Sequence, residues 1–120
     1  MSVGIVGGSV SPSTALTLNA QTGTTYTFVL TDANNTLVTA SNASAQTYTI
    51  PPNSSVAYPI GSQINLIQIG AGQVSFAQGS GVTIASTGAT STAPKCRVQY
   101  SSATAVKVGT DSWYVIGDLA

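Results

Sequence analysis

Six side chains carry the whole ionic chemistry of this 120-residue chain: Asp32, Lys95, Arg97, Lys107, Asp111 and Asp118. They sum to zero and make up 5% of the residues, against about 25% in a typical soluble domain. His and Glu are absent. A serine nucleophile of the triad kind needs a base to take its proton, and there is no imidazole to do so. A Ser–Lys pair would have to use Lys95 or Lys107, and nothing in the sequence brings a serine to either. Paired carboxylates for glycoside hydrolysis would have to come from Asp32, Asp111 and Asp118. Of these, Asp32 and Asp111 stand in turn sequences, where Asp is favoured for backbone reasons. The chain is therefore expected not to be an enzyme.

The same shortage bears on ligands. One Cys and no His do not make a zinc site. Asp111 and Asp118 are calcium-type ligands but too few and too scattered to define a site, so no metal or cofactor is expected. Gly70-Ala71-Gly72 lies between two strands and does not open a helix, so it reads as a turn and not as a phosphate cradle. Three cations are too few for the phosphate contacts that dominate nucleic-acid binding, and no nucleic acid is expected as a partner. Cys96 has no partner for an intrachain disulfide. Alternation puts it on one strand face with Val98 and Tyr100, as a small buried hydrophobe. Its flanking cations, Lys95 and Arg97, are of the kind that lowers a thiol pKa, but no His is available to act as its base. Asn34, Asn42 and Asn53 each open a glycosylation-type triplet, as expected by chance in a chain so rich in Ser and Thr.

The elements that carry these residues read as short strands. Thr, Val, Ile and Tyr favour strands, and no segment keeps a 3.6-residue apolar period. Residues 24–31 alternate, with Tyr26, Phe28 and Leu30 on one face. Asp32-Ala33-Asn34-Asn35 is a turn, and residues 37–40 return to complete a hairpin. Further strands are expected at 47–50, 56–59, 63–69, 74–76, 82–85, 96–100, 105–108 and 112–116, the last two forming a hairpin. Residues 86–94, a run of small residues, form a loop suited to a mobile or partner-ordered role.

Turns every 8–12 residues are the signature of a sandwich or barrel. The expected fold is an all-β, antiparallel β-sandwich over residues 13–120, jelly-roll-like in preference to immunoglobulin-like, preceded by an N-terminal arm at 1–12 of the flexible kind common at chain ends. No apolar run approaches the ~20 residues of a spanning helix, so no membrane is expected. The first residues lack the basic and apolar regions of a signal peptide, and a complete small protein is the expectation.

Two strands are apolar on both faces. In residues 63–69, Ile64 and Leu66 point one way and Ile67 and Ile69 the other. Trp113-Tyr114-Val115-Ile116 repeats the pattern. A two-layer sandwich needs one apolar face per strand, so the second face is either covered by a loop or a neighbouring subunit or is ordinary scattered apolar surface. Ile67, Ile69, Tyr114 and Ile116 are the candidate subunit-interface residues.

Residues 48–118 resemble a β-module that recurs in virion proteins of tailed bacteriophages, both tail fibres and capsid-associated proteins. The resemblance is carried by Ile50-Pro51-Pro52-Asn53-Ser54-Ser55-Val56-Ala57-Tyr58-Pro59-Ile60-Gly61-Ser62-Gln63-Ile64. It continues through Gly70-Ala71-Gly72-Gln73-Val74-Ser75-Phe76, Arg97-Val98-Gln99-Tyr100-Ser101-Ser102-Ala103 and Trp113-Tyr114-Val115-Ile116-Gly117-Asp118. It implies a structural role, often as a trimer, and transfers no functional residue. Joined to the small size and near-absence of charge, it leads to the expectation of a capsid decoration (cement) protein. Such a protein would sit as a homotrimer on the virion's capsid exterior, binding and reinforcing the major capsid protein. The rival expectation is a tail-fibre or receptor-binding module that recognises host carbohydrate through aromatics such as Tyr58, Tyr100, Trp113 and Tyr114.

Overall fold

The computed structural model describes residues 15–120; the expected arm at 1–12 lies outside them. Among the described residues nine strands follow one another: β1 (Thr17–Gln21), β2 (Thr25–Thr27), β3 (Thr36–Ala40), β4 (Gln46–Ile50), β5 (Gln63–Gln68), β6 (Val74–Gln78), β7 (Thr83–Ser86), β8 (Ser102–Gly109) and β9 (Ser112–Gly117), with a 3-10 turn at Leu30–Ala33. They form a six-stranded sheet in the order β1-β3-β5-β8-β9-β7 and a three-stranded sheet in the order β2-β4-β6.

The fold is all-β and two-layered, as expected, but the antiparallel expectation is corrected. β1, β3 and β5 pair in parallel, as do β2, β4 and β6, and β7 pairs in parallel with β9. Antiparallel pairing is confined to β5 with β8 and β8 with β9. The chain therefore winds: each odd strand of the first six lies in the large sheet, the next lies in the small one, and the following coil stacks on the last. This is not the Greek-key connectivity of a jelly roll. The expected hairpin of 24–31 with 37–40 is likewise absent, because β2 and β3 belong to different sheets. The β8–β9 hairpin is present, with a bulge between Lys107 and Gly109. Residues 56–59 and 97–100 are not strands.

Stacked coils bring backbone against backbone at the corners, and the sequence answers with Gly, Asn and Gln. The Asn42 amide donates to Thr22 O (2.8 Å), and the Gly72 N–H donates to Asn42 O (2.8 Å). The buried Gln46 donates to Gly72 O (3.1 Å), while the buried Gln68 accepts from the Val74 N–H (3.0 Å). A Cβ on Gly72 would collide with the Ser44 carbonyl, and one on Gly70 with the Asn42 backbone.

Between the sheets lies a hydrophobic cluster. The large sheet contributes Val38, Ile64, Leu66, Ile84, Trp113 and Val115, and the small sheet Tyr48, Ile50, Val74 and Phe76. Phe28 meets Tyr26, Tyr48 and Phe76 at centroid distances of 5.8, 5.8 and 6.1 Å. Such aromatic packing adds roughly 0.5–1.5 kcal/mol per pair beyond area burial. Leu30, expected on the face of Phe28, is instead exposed, since the chain leaves the strand there for the 3-10 turn.

The C-terminal side of the stack is closed. Residues 94–96 run along β6, with Phe76 N–H to Pro94 O and Cys96 N–H to Val74 O, both 2.9 Å. The outer edge of β7 is met by side chains: Ile84 N–H by Gln78 Oε1 (2.9 Å) and Ser86 N–H by Ser91 Oγ (3.1 Å).

Candidate interaction face

Period-two alternation on a two-layer fold sends one side of each strand to the core and the other outward. On the large sheet the outward rows follow from register. One runs Leu18, Leu37, Asn65, Thr104, Ile116; the next Ala20, Thr39, Ile67, Ser102; a third Gln63, Val106, Tyr114, Ala85. Ile69 follows β5 on the side of Ile67, with its N–H on Ala40 O at 2.8 Å. The structure thus brings Ile67, Ile69, Tyr114 and Ile116 to one face. Tyr114 is 53% and Ile116 58% exposed, and Leu18, on the edge strand, 66%. Leu18, Leu37 and Val106 belong to the same face and were missed because strand β1 and the register were not read from the sequence.

No charged residue occupies these rows. Their polar members are neutral, and one pair is mutually satisfied, with Thr104 Oγ1 donating to Asn65 Oδ1 at 2.7 Å. The outer face of the small sheet is different in kind: its rows are Thr25, Thr47, Ser75 and Thr27, Thr49, Ala77. One outer face is hydroxylated; the other carries large apolar side chains.

The charged residues are dispersed. Arg97 and Asp118 form an exposed two-pronged ion pair, Nε to Oδ1 at 2.8 Å and Nη2 to Oδ2 at 3.1 Å. The Arg97 guanidinium, and then the Ser101 hydroxyl, hold the Asp118 carboxyl below its ordinary range. Asp32 is buried, with Oδ2 accepting from Tyr26 Oη (2.8 Å) and Val29 N–H (2.9 Å) and Oδ1 from the Asn19 amide (2.8 Å). Lys107 is also buried, its Nζ donating to Asn53 Oδ1 (2.6 Å) and Tyr58 O (2.7 Å). Among the described residues no three His, Cys, Asp or Glu side chains gather in a metal-holding group.

Cys96 is buried, as expected, but not beside Val98 and Tyr100, which are exposed. Burial, with the Asp118 charge adding to it, pushes its thiol up to about 11, opposite to the effect expected of its cationic neighbours. The aromatics also divide. Trp113 and Tyr58 are core residues in edge-to-face contact at 5.3 Å, whereas Tyr100 and Tyr114 are exposed. Tyr100 holds a positive φ of 70°, a conformation costly for a side chain of its size. A surface depression of about 360 Å³, lined by Ala33, Asn35, Gly61, Ser62, Gln63 and Asn65, contains no ionisable group.

No protein-family model matches this chain, and no curated protein sequence matches it.

Proposed function

We propose that this chain is a structural virion protein of a tailed phage: a capsid decoration protein that assembles as a homotrimer and reinforces the major capsid protein from outside the head. The observation that carries the reading is the uncharged outer face of the large sheet, where Leu18, Tyr114 and Ile116 stand exposed. Isolated exposed apolar side chains are ordinary, but large ones sharing a face with no charge suit an interface core, which is depleted in charge. Burying an unpaired charge at a contact costs several kcal/mol, and this face has none to bury. The resemblance of residues 48–118 to a phage virion module supports the same reading.

Native mass measurement at micromolar concentration tests the assembly. A trimer is expected, and Ile116→Lys, at an exposed position, is expected to shift it to monomer without lowering the unfolding temperature of the subunit. A wild-type monomer overturns the trimer. Particles lacking the protein are expected to lose resistance to heat, and unchanged particles would sink the reinforcing role. A carbohydrate-reading tail module is the second reading, favoured by Tyr100, which is exposed on a strained backbone. Labelled protein imaged at the tail tip instead of on the head would select it.

A further inference from the structure

We propose that Tyr100 of one copy seats in the uncharged depression at the start of β3 and β5 on the next copy, so that the subunits join head to tail; the inference rests on the homotrimer proposed above. The two patches stand at opposite ends of β5. Ile67 pairs with Ser102, and the Gln68 N–H donates to Ser101 O at 3.0 Å, which puts Tyr100 level with Ile69. From Ile69 back to Gln63, in the wall of the depression, is about 20 Å at roughly 3.3 Å per residue.

Tyr100 is built as a knob. It is 67% exposed with φ at 70°, and among the described residues its hydroxyl has no hydrogen-bond partner. Strained backbone persists only where its surroundings over-determine it, and it gathers where ligands are held. Here the bracing is dense. The Tyr100 N–H donates to Gln68 O, and the Gln99 amide donates to Ile69 O at 3.0 Å. Ser101 Oγ donates to Asp118 Oδ2 at 2.6 Å and accepts the Val98 N–H at 3.1 Å. These bonds fix the turn without using the phenol ring, so the strain aims a side chain for which its own subunit has no use.

The depression, about 360 Å³, lies at the small end of the roughly 300–1,000 Å³ of ligand sites, which suits one aromatic side chain. Asn35, Ser62, Gln63 and Asn65 line it, with Ala33 and Gly61. Asn35 Nδ2 donates to Ala15 O at 3.0 Å and Asn65 Oδ1 accepts from Thr104. The Gln63 carboxamide and Asn65 Nδ2 have no bond among the described residues. A buried Tyr hydroxyl takes a hydrogen-bond partner, and these amides can supply one. Symmetry names the occupant. A patch that meets itself gives two-fold pairs, whereas a ring of three needs two different patches on every chain. Tyr100 and the depression are such a pair, joined along one sheet face by the uncharged outward row that holds Ile67.

The experiment is native mass measurement of the full chain over a dilution series, with two variants. Tyr100→Gly removes the knob and relieves the backbone; Gln63→Lys puts an ammonium where the ring would seat. Each is expected to raise the concentration needed for half-assembly about tenfold or more. At a dilution where all are monomeric, Tyr100→Gly is expected to unfold at the wild-type temperature or above it. A lower temperature would mean that the ring packs on its own subunit, and overturns the proposal. Mixed together, the two variants retain one intact knob and one intact depression between them, so one-to-one dimers are expected; a mixture of monomers overturns the head-to-tail contact. A Tyr100→Gly chain that still forms trimers at the wild-type concentration overturns the contact and leaves the trimer standing. If those trimers no longer bind the phage head, Tyr100 meets the capsid protein instead. A wild-type monomer removes the trimer itself, and this contact with it.

Discussion

Asp32 shows how much one residue can organise in a chain with few charges. Its carboxylate accepts from Asn19, Tyr26 and Val29 and so ties β1, β2 and the 3-10 turn together. Replacing it by Ala leaves part-buried donors without an acceptor, and an unsatisfied group costs roughly 1–3 kcal/mol when fully buried. Asp32→Ala is therefore expected to lose about 2 kcal/mol or more in a urea titration, and Asp32→Asn, which keeps one acceptor, less. A loss below half a kcal/mol for the Ala variant would mean that water replaces the carboxylate. This role was not legible in the sequence: Asp32-Ala33-Asn34-Asn35 carries the local signals of a turn, whereas the donors Asn19 and Tyr26 arrive through winding. That Ile67, Ile69, Tyr114 and Ile116 point outward was legible, because a strand that is apolar on both sides announces itself locally. Cys96 was half legible. Its burial followed from residue type, but its pKa direction depended on the core around it and on Asp118, which no local reading supplies.

The strands themselves were mostly visible in the alternation of β4, β5, β7 and β9, but their partners were not. A parallel strand is usually buried on both faces and reads as a continuous apolar run. Here the coiled strands bury one face and alternate, so they imitate antiparallel ones. The coils are also unequal. β1 and β3 align Thr17 with Thr36, while β4 and β6 align Gln46 with Val74, and no fixed repeat survives. What the winding does leave in the sequence is the glycine at its corners. Gly72→Ala forces a Cβ into the Ser44 backbone and is expected to cost about 1–3 kcal/mol, as overpacking does. Gly23 has its nearest contact, Thr25 O, at an ordinary 3.6 Å, so Gly23→Ala is expected to change stability by no more than about 0.5 kcal/mol. Thermal unfolding of the two variants side by side checks the stacking, and equal losses would contradict it.

For the molecule as a whole, stability is set at the alkaline end by groups that must stay protonated in the core. Burial raises Tyr26 and Tyr48 from 10.0 to about 12, with the Asp32 hydrogen bond adding to Tyr26, and raises Cys96 from 9.0 to about 11. A group whose folded pKa is raised contributes stability that is complete below its unfolded value and lost as pH climbs through the folded one. The urea midpoint is thus expected to hold to about pH 9 and fall steadily between pH 9 and 12, and a flat profile there would contradict the burial of these groups. At the acid end Asp118 has the opposite sign: its support is present above 3.8 and is lost as pH falls below that. Exposed pairs of this kind contribute little, so the acid limb is expected to be shallow. The connectivity also sets a timetable. β7 has β9 as its strand partner, and β5 has β8 as its second neighbour. A ribosome delivers β1 first and the β8–β9 hairpin after every strand that the hairpin must tie together. The large sheet therefore cannot close during most of the chain's synthesis, and the outward apolar rows of its early strands come together as a surface only when translation has passed β9.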